Sequence, residues 1–219
     1  MNLQVNENSG FSLVELMIAL ALSSIASVVI ITSYITQNRS YQVQEQITGI
    51  QQDLRAAIHL MMKEIRMAGY DPLGSAGAKI IEADDTNIQF NFDLNMDGNC
   101  YNFEESVRYS LISEGNTQGL YRTISPDDPN KMEAPLVENV ENVEFYYTLD
   151  DGVKTTTPAD PNTIRQVQIT LLVKTDIEDR NRTQNTRYIT DSGAVWGPYN
   201  DGYLRRLLSA SARCRNREL

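Results

Sequence analysis

Residues 10–38 read GFSLVELMIALALSSIASVVIITSYITQN, and from Leu16 to Asn38 there is no charged side chain. About 20 residues at roughly 1.5 Å rise cover a hydrocarbon layer of about 30 Å, so Leu16 to Ile35 reads as a membrane-crossing helix. A secretory signal peptide is the competing reading. Against it, residues 1–10 carry Glu7 and no Lys or Arg, and no small-x-small cleavage site follows the apolar run before Tyr41. Tyr34 and Tyr41 fall at the far end of the span, where amphipathic rings favour the interface. Glu15 puts one carboxylate at the near end of this stretch, and a charge there needs a reason.

The helical pattern continues past the membrane segment. Val43, Ile47, Ile50, Leu54, Ile58, Met61, Ile65 and Ala68 recur at steps of three and four, which places them on one face of a helix. Gln, Asp, Arg, Lys and Glu fill the other faces, so this half is amphipathic and lies in water against an apolar partner. Gly69 and Pro72 end it, because Gly accepts the left-handed turn after a helix and Pro cannot continue one.

Beyond Pro72 the period changes from 3.6 to 2. Ile88–Phe90–Phe92, Val107–Tyr109–Leu111, Val143–Phe145–Tyr147–Leu149, Val167–Ile169–Leu171–Val173 and Leu208–Ala210–Ala212–Cys214 each alternate with polar neighbours. These are half-buried antiparallel strands with one face in a core and one in water. The amphipathic half of the helix is the partner available to cover the apolar face of the sheet. Segments 125–135 and 150–163, rich in Pro, Asp, Asn and Thr, read as loops. The expected fold class is α+β: one long N-terminal helix, half membrane and half amphipathic, packed on a mostly antiparallel sheet. The expected divisions are residues 1–10, 11–38 for the membrane helix, 39–70 for the amphipathic helix and 71–219 for the β domain.

The chain has 219 residues, 41% of them hydrophobic, enough for one medium core. A formal charge of -10 argues against a nucleic-acid backbone as partner, since that binding rests on clustered cations. Arg205, Arg206, Arg213, Arg215 and Arg217 do gather late, and they read as a solvated strand face. His59 lies beside the helix's apolar face, and without a second histidine or an activated Ser or Cys nearby it reads as structural rather than catalytic. No cofactor is required by this reading, and no enzyme pattern stands out.

Residues 93–104, DLNMDGNCYNFE, satisfy a calcium-loop pattern. Asp93, Asn95 and Asp97 take positions one, three and five, Gly98 the sharp turn, Asn99 the backbone oxygen and Glu104 the twelfth place. A hairpin turn rich in Asp, Asn and Gly accounts for the same residues, and strands rather than helices flank the stretch. Both readings, a Ca²⁺ loop and a polar turn, stand at this point.

Gly10-Phe11-Ser12-Leu13-Val14-Glu15 followed by an apolar helix resembles the N-terminal signal of type IV prepilins and of the pseudopilins of type II secretion. "MMKEIRMAGYDP" at 61–72, "LVENVENVEFYYTLD" at 136–150 with "IRQVQITLLVKT" at 164–175, and "RRLLSASARCRN" at 205–216 are similar to PilW-type minor pilins. The resemblance implies a type IV pilin-like fold and a non-enzymatic structural role in pilus assembly. It implies that residues 1–10 are a cytoplasmic leader peptide, which a prepilin peptidase and methyltransferase removes by cutting between Gly10 and Phe11 before N-methylating Phe11. It further implies an inner-membrane, single-pass chain with its C-terminal domain in the periplasm, entering a pilus with other minor and major pilins through the inner-membrane assembly machinery.

Within that resemblance Glu15 acts in assembly, its carboxylate pairing with the new α-amine of a neighbour's Phe11 in a staggered filament. In an oxidising periplasm Cys100 and Cys214 have the chemistry to bridge, if the fold brings their Cα atoms within about 4.4–6.8 Å. A minor pseudopilin shares every N-terminal feature. A membrane-anchored ligand-binding or adhesive module, acting through loops 125–135 or 150–163, is the reading from another class.

Overall fold

The computed structural model describes residues 10–115, 117–179 and 182–214. A 55-residue helix, α1 (Leu13–Met67), comes first, and the chain divides into two units, Met1–Glu45 and Gln46–Leu219.

In the first unit, large apolar side chains from Phe11 to Ile35, among them Leu16, Ile18, Leu22, Ile25, Val29, Ile31 and Tyr34, are exposed. The hydroxyls in this stretch turn back on their own helix. Ser24 donates to Ala21 O at 2.7 Å, Ser27 to Ser23 O at 2.8 Å, Thr32 to Val28 O at 2.9 Å and Thr36 to Thr32 O at 2.8 Å. A helix that satisfies its backbone and these hydroxyls internally, and shows mostly hydrocarbon outward, suits an apolar solvent. Among the described residues α1 is the one helix long and apolar enough to cross a membrane.

In the second unit α1 does what its periodicity predicts. Leu54, Ala57, Ile58, Met61, Ile65 and the following Ala68 are buried, while Asp53, Arg55, Lys63 and Arg66 are exposed. Each such apolar side chain removed from water contributes about 1.5–3 kcal/mol against exposure, which holds this segment on its partner. Gly69 ends the run at φ 74, and its N–H donates to Asn91 O at 3.0 Å.

Strands β1 (Ile80–Ala83), β2 (Asn87–Asn91), β3 (Ser106–Glu114), β4 (Thr117–Ile124) and β5 (Met132–Val137) form a five-stranded antiparallel sheet in sequence order. Strands β6 (Val140–Leu149), β7 (Lys154–Thr155), β8 (Ile164–Lys174) and β11 (Arg205–Arg213) form a second sheet in the order β11-β8-β6-β7. The short pair β9 (Tyr188–Ile189) and β10 (Val195–Trp196) stands apart from both. One core joins Leu54, Met61 and Ile65 of the helix to Ile88, Phe90, Tyr109 and Leu120 of the first sheet and Phe145, Tyr147, Ile169 and Leu171 of the second. The α+β architecture of a long N-terminal helix packed on antiparallel sheets is therefore the observed one.

Several expectations need correction. The sheet is two sheets, not one. Residues 132–135 are strand and not loop, with Pro135 on the edge strand β5, where its missing N–H costs no ladder bond. Segment 150–163 contains β7 and a one-turn 3₁₀ helix, Pro161–Thr163, capped by Asp160. Strand β2 is not half in water: Gln89 and Asn91 are buried as well as Ile88 and Phe90. Gln89 is satisfied by Asp127 and Arg108, and Asn91 by Lys79 N and Cys100 Sγ.

The late arginines are not one solvated face. Arg205 is buried and held by Glu141 and by both oxygens of Asp201, while Arg206 and Arg213 are exposed. Arg215 and Arg217 lie outside the described residues.

Candidate functional site

The first turn of α1 is built by a reciprocal pair. Ser12 is the last non-helical residue, and its carbonyl accepts the first helical bond from Leu16 N at 3.1 Å. The Glu15 backbone N–H donates to Ser12 Oγ at 3.2 Å, and the Ser12 backbone N–H donates to Glu15 Oε2 at 2.9 Å. This is a capping box: two N–H groups that the helix leaves unpartnered are each satisfied by the other residue's side chain. The carboxylate also lies at the positive end of the helix dipole. The S-x-x-E spacing of residues 12–15 is its sequence signal.

The box fixes where the helix begins, and so fixes what lies outside it. Gly10 and Phe11 precede the cap, are not helical and are exposed, Phe11 at 91%. Among the described residues, its chain neighbours aside, no heavy atom lies within 4 Å of the position a Cβ on Gly10 would take. Internal packing therefore gives no reason for glycine here. A peptide bond outside the helix, next to a residue without a side chain, is open to a peptidase.

The polar loop lies between β2 and β3. Buried Asp93 accepts Asp97 N at 3.2 Å and Gly98 N at 3.0 Å through its two oxygens. Asn95 Oδ1 accepts Asp97 N, and Asp97 Oδ1 accepts Asn99 N. Gly98 sits at φ 78, as the sharp turn requires. Asp93, Asn95, Asp97 and Asn99 are thus gathered on one turn, but Glu104 is not: it is exposed at φ 73, and Glu105 is the carboxylate turned inward. Among the described residues no three His, Cys, Asp or Glu side chains stand together as a ready metal cluster.

The Cys100–Cys214 bridge is not formed. Buried Cys100 Sγ accepts from Asn91 Nδ2 at 3.0 Å and donates to Ala76 O at 3.2 Å, whereas Cys214 ends β11 with its N–H on Arg165 O. Burial first, then Glu105, Asp71 and Asp93, push the Cys100 thiol up, so it stays protonated and unreactive. His59 is an exposed helical side chain.

Sequence reasoning missed a polar cluster that pins α1 to the first sheet. Arg122 of β4 donates to Glu64 Oε1 at 2.7 Å and Oε2 at 3.1 Å, and Tyr109 of β3 donates to the same carboxylate. Burial, then Glu64, raise the Tyr109 phenol far above its usual range, so it remains a donor. Glu64, Tyr109 and Arg122 are scattered along the chain, and only the fold brings them together.

Residues 6–31, which contain the capped turn, match the family described as the prokaryotic N-terminal methylation motif. Among curated proteins none matches the chain. Solved structures that resemble it include a type IV-like pilin from Thermus thermophilus, 14% identical, with 75% of this chain and 96% of that one covered at a TM-score of 0.49.

Proposed function

We propose that the chain is a type IV pilin-like structural subunit. In this reading it is made as a precursor anchored in the inner membrane by the apolar half of α1, with the β domain in the periplasm. A prepilin peptidase hydrolyses the amide between Gly10 and Phe11, and the liberated amine of Phe11 is methylated. The mature chain then joins other pilins by lateral packing of the exposed apolar helix. Glu15 selects it for that packing by pairing with a neighbour's terminal amine, and the PilW-like stretches favour a minor, pilus-priming position.

The observation that carries this is the placement of the methylation motif at residues 6–31. The cut proposed between Gly10 and Phe11 falls immediately outside the Ser12–Glu15 cap, and Glu15 opens a helix whose apolar side chains have no partner among the described residues of its unit. The amine created by cleavage faces a helix N-terminus, where a positive charge is disfavoured, so a carboxylate at Glu15 offsets it in the single subunit. In a filament the same carboxylate has a second amine within reach, in an environment without water where opposite charges are best kept together.

The test is an immunoblot of filaments sheared from cells that express the chain with its own assembly genes. The mature form should be present in the sheared fraction. A chain found only in membranes, with filaments otherwise normal, contradicts the reading.

A further inference from the structure

We propose that residues 93–105 form a calcium site closed by Glu105, and not by the Glu104 that the sequence pattern selects. Glu105 is 2% exposed, and its Oε1 accepts the backbone N–H of Leu94 at 3.0 Å, so the carboxylate is inserted into the loop. Its other oxygen, Oε2, is buried with no hydrogen-bond partner. A buried carboxylate oxygen left unpaired is costly, and native folds satisfy such atoms with a donor or a cation. Among the described residues none of Asp93, Asp97 and Glu105 has a Lys or Arg ion-pair partner.

The other side chains of this loop carry oxygens of the type calcium takes, and a cation would have to draw Asp93, Asp97 and Glu105 together, since among the described residues they do not stand as a cluster. Asp93 is buried, and Asn95 and Asp97 stand on the turn that Asp93 organises. Asp97 Oδ2 is held by the amide groups of Asn95, at 3.0 Å, and Asn102, at 2.7 Å. A cation would replace those two donors, and the Asn102 amide, turned about, would offer its oxygen instead. Hard carboxylate and carbonyl oxygens, in the flexible numbers a loop supplies, favour Ca²⁺ over the smaller Mg²⁺. The shift by one residue has a local cause: the left-handed backbone at Glu104 turns that side chain to solvent and the next one inward.

The experiment is calorimetric titration of the full chain in detergent with CaCl₂ and with MgCl₂, alongside Glu105→Gln, Asp97→Asn and Glu104→Gln. The wild type should bind one Ca²⁺ with a dissociation constant of about 10⁻⁴–10⁻³ M, the range of extracellular modules, and Mg²⁺ about tenfold more weakly or worse. E105Q and D97N should each lose about tenfold or more in affinity, and E104Q should stay within about twofold of wild type. D97N, at an exposed position, carries the test if E105Q fails to fold by circular dichroism. No saturable binding up to about 10 mM, or binding lost in E104Q and kept in E105Q and D97N, would overturn the site.

Discussion

The Ser12 backbone N–H donates to Glu15 Oε2 at 2.9 Å while the Glu15 backbone N–H donates to Ser12 Oγ at 3.2 Å, so a serine and a carboxylate three residues apart define where the helix starts. Glu15 therefore has work in the single chain before any assembly. Capping and the proposed pairing separate chemically, because capping needs an acceptor oxygen and pairing with an amine needs a charge.

Glu15→Gln keeps the oxygen and removes the charge, whereas Glu15→Ala removes both. If pairing is what admits the subunit, both variants should still be cut at Gly10–Phe11 and both should fall by about tenfold or more in sheared filaments. Recovery of wild-type incorporation by the Gln variant on immunoblots would show that capping alone is needed.

Ser12→Ala deletes the other half of the box and leaves the carboxylate in place. Loss of an N-cap costs about 1 kcal/mol of local helix stability, about fivefold in amide exchange. In detergent, the amides of Val14 and Glu15 should exchange faster by that factor, with residues beyond the first turns unchanged. Unchanged exchange at both amides would mean that the box does not hold the turn.

The pin between α1 and the first sheet is a half-buried ion pair, with Arg122 and Glu64 side chains 22% and 13% exposed. Glu64→Ala leaves the Arg122 guanidinium and the Tyr109 hydroxyl without their shared acceptor, at a cost of about 3 kcal/mol. Tyr109→Phe removes one donor from a carboxylate that keeps its arginine, at about 1 kcal/mol. Urea midpoints of the full chain should fall in that order, and a Glu64→Ala midpoint equal to wild type would remove the pin from the account.

Arg205 donates to both oxygens of Asp201, at 2.6 and 2.7 Å, and these bonds hold the Asp201 carboxyl below its ordinary 3.8. The folded group binds its proton more weakly than the unfolded one, so its contribution is complete above the ordinary value and is lost as pH falls through the depressed one. Asp201→Asn should thus lose less stability than wild type between about pH 5 and pH 2. Parallel stability curves for the two proteins over that range would contradict the assignment.

Much of this was legible in the residues. The 3.6 period from Val43 to Ala68 named the buried helix face, and the period of 2 named β2, β3, β6, β8 and β11 within a few residues. What was missed has physical causes. In β4 the helix-and-strand signal is broken by Gly119, where a Cβ would meet Tyr121 and Val137 O at 3.1 Å beside a register shift at Leu120 and Tyr121. In β5 Pro135 reads as loop, because local rules do not know which strand lies at an edge. Arg205 looked solvated because Glu141 comes from a distant strand and Asp201, four residues back, turns onto it only through the local fold. Glu104 and Glu105 are told apart only by a backbone angle. At the N-terminus the short-range pattern drew out Glu15 and the cut proposed between Gly10 and Phe11, and the Ser12-x-x-Glu15 spacing of the cap was legible in the same residues.

The central claim is tested most directly by mass spectrometry of the N-terminus of the chain isolated from cells that express a prepilin peptidase. The account predicts a chain that begins at Phe11 and carries one methyl group on its α-amine, and a Gly10→Phe variant that keeps the leader. A wild-type chain that still contains residues 1–10, or that is cut anywhere other than between Gly10 and Phe11, would contradict it.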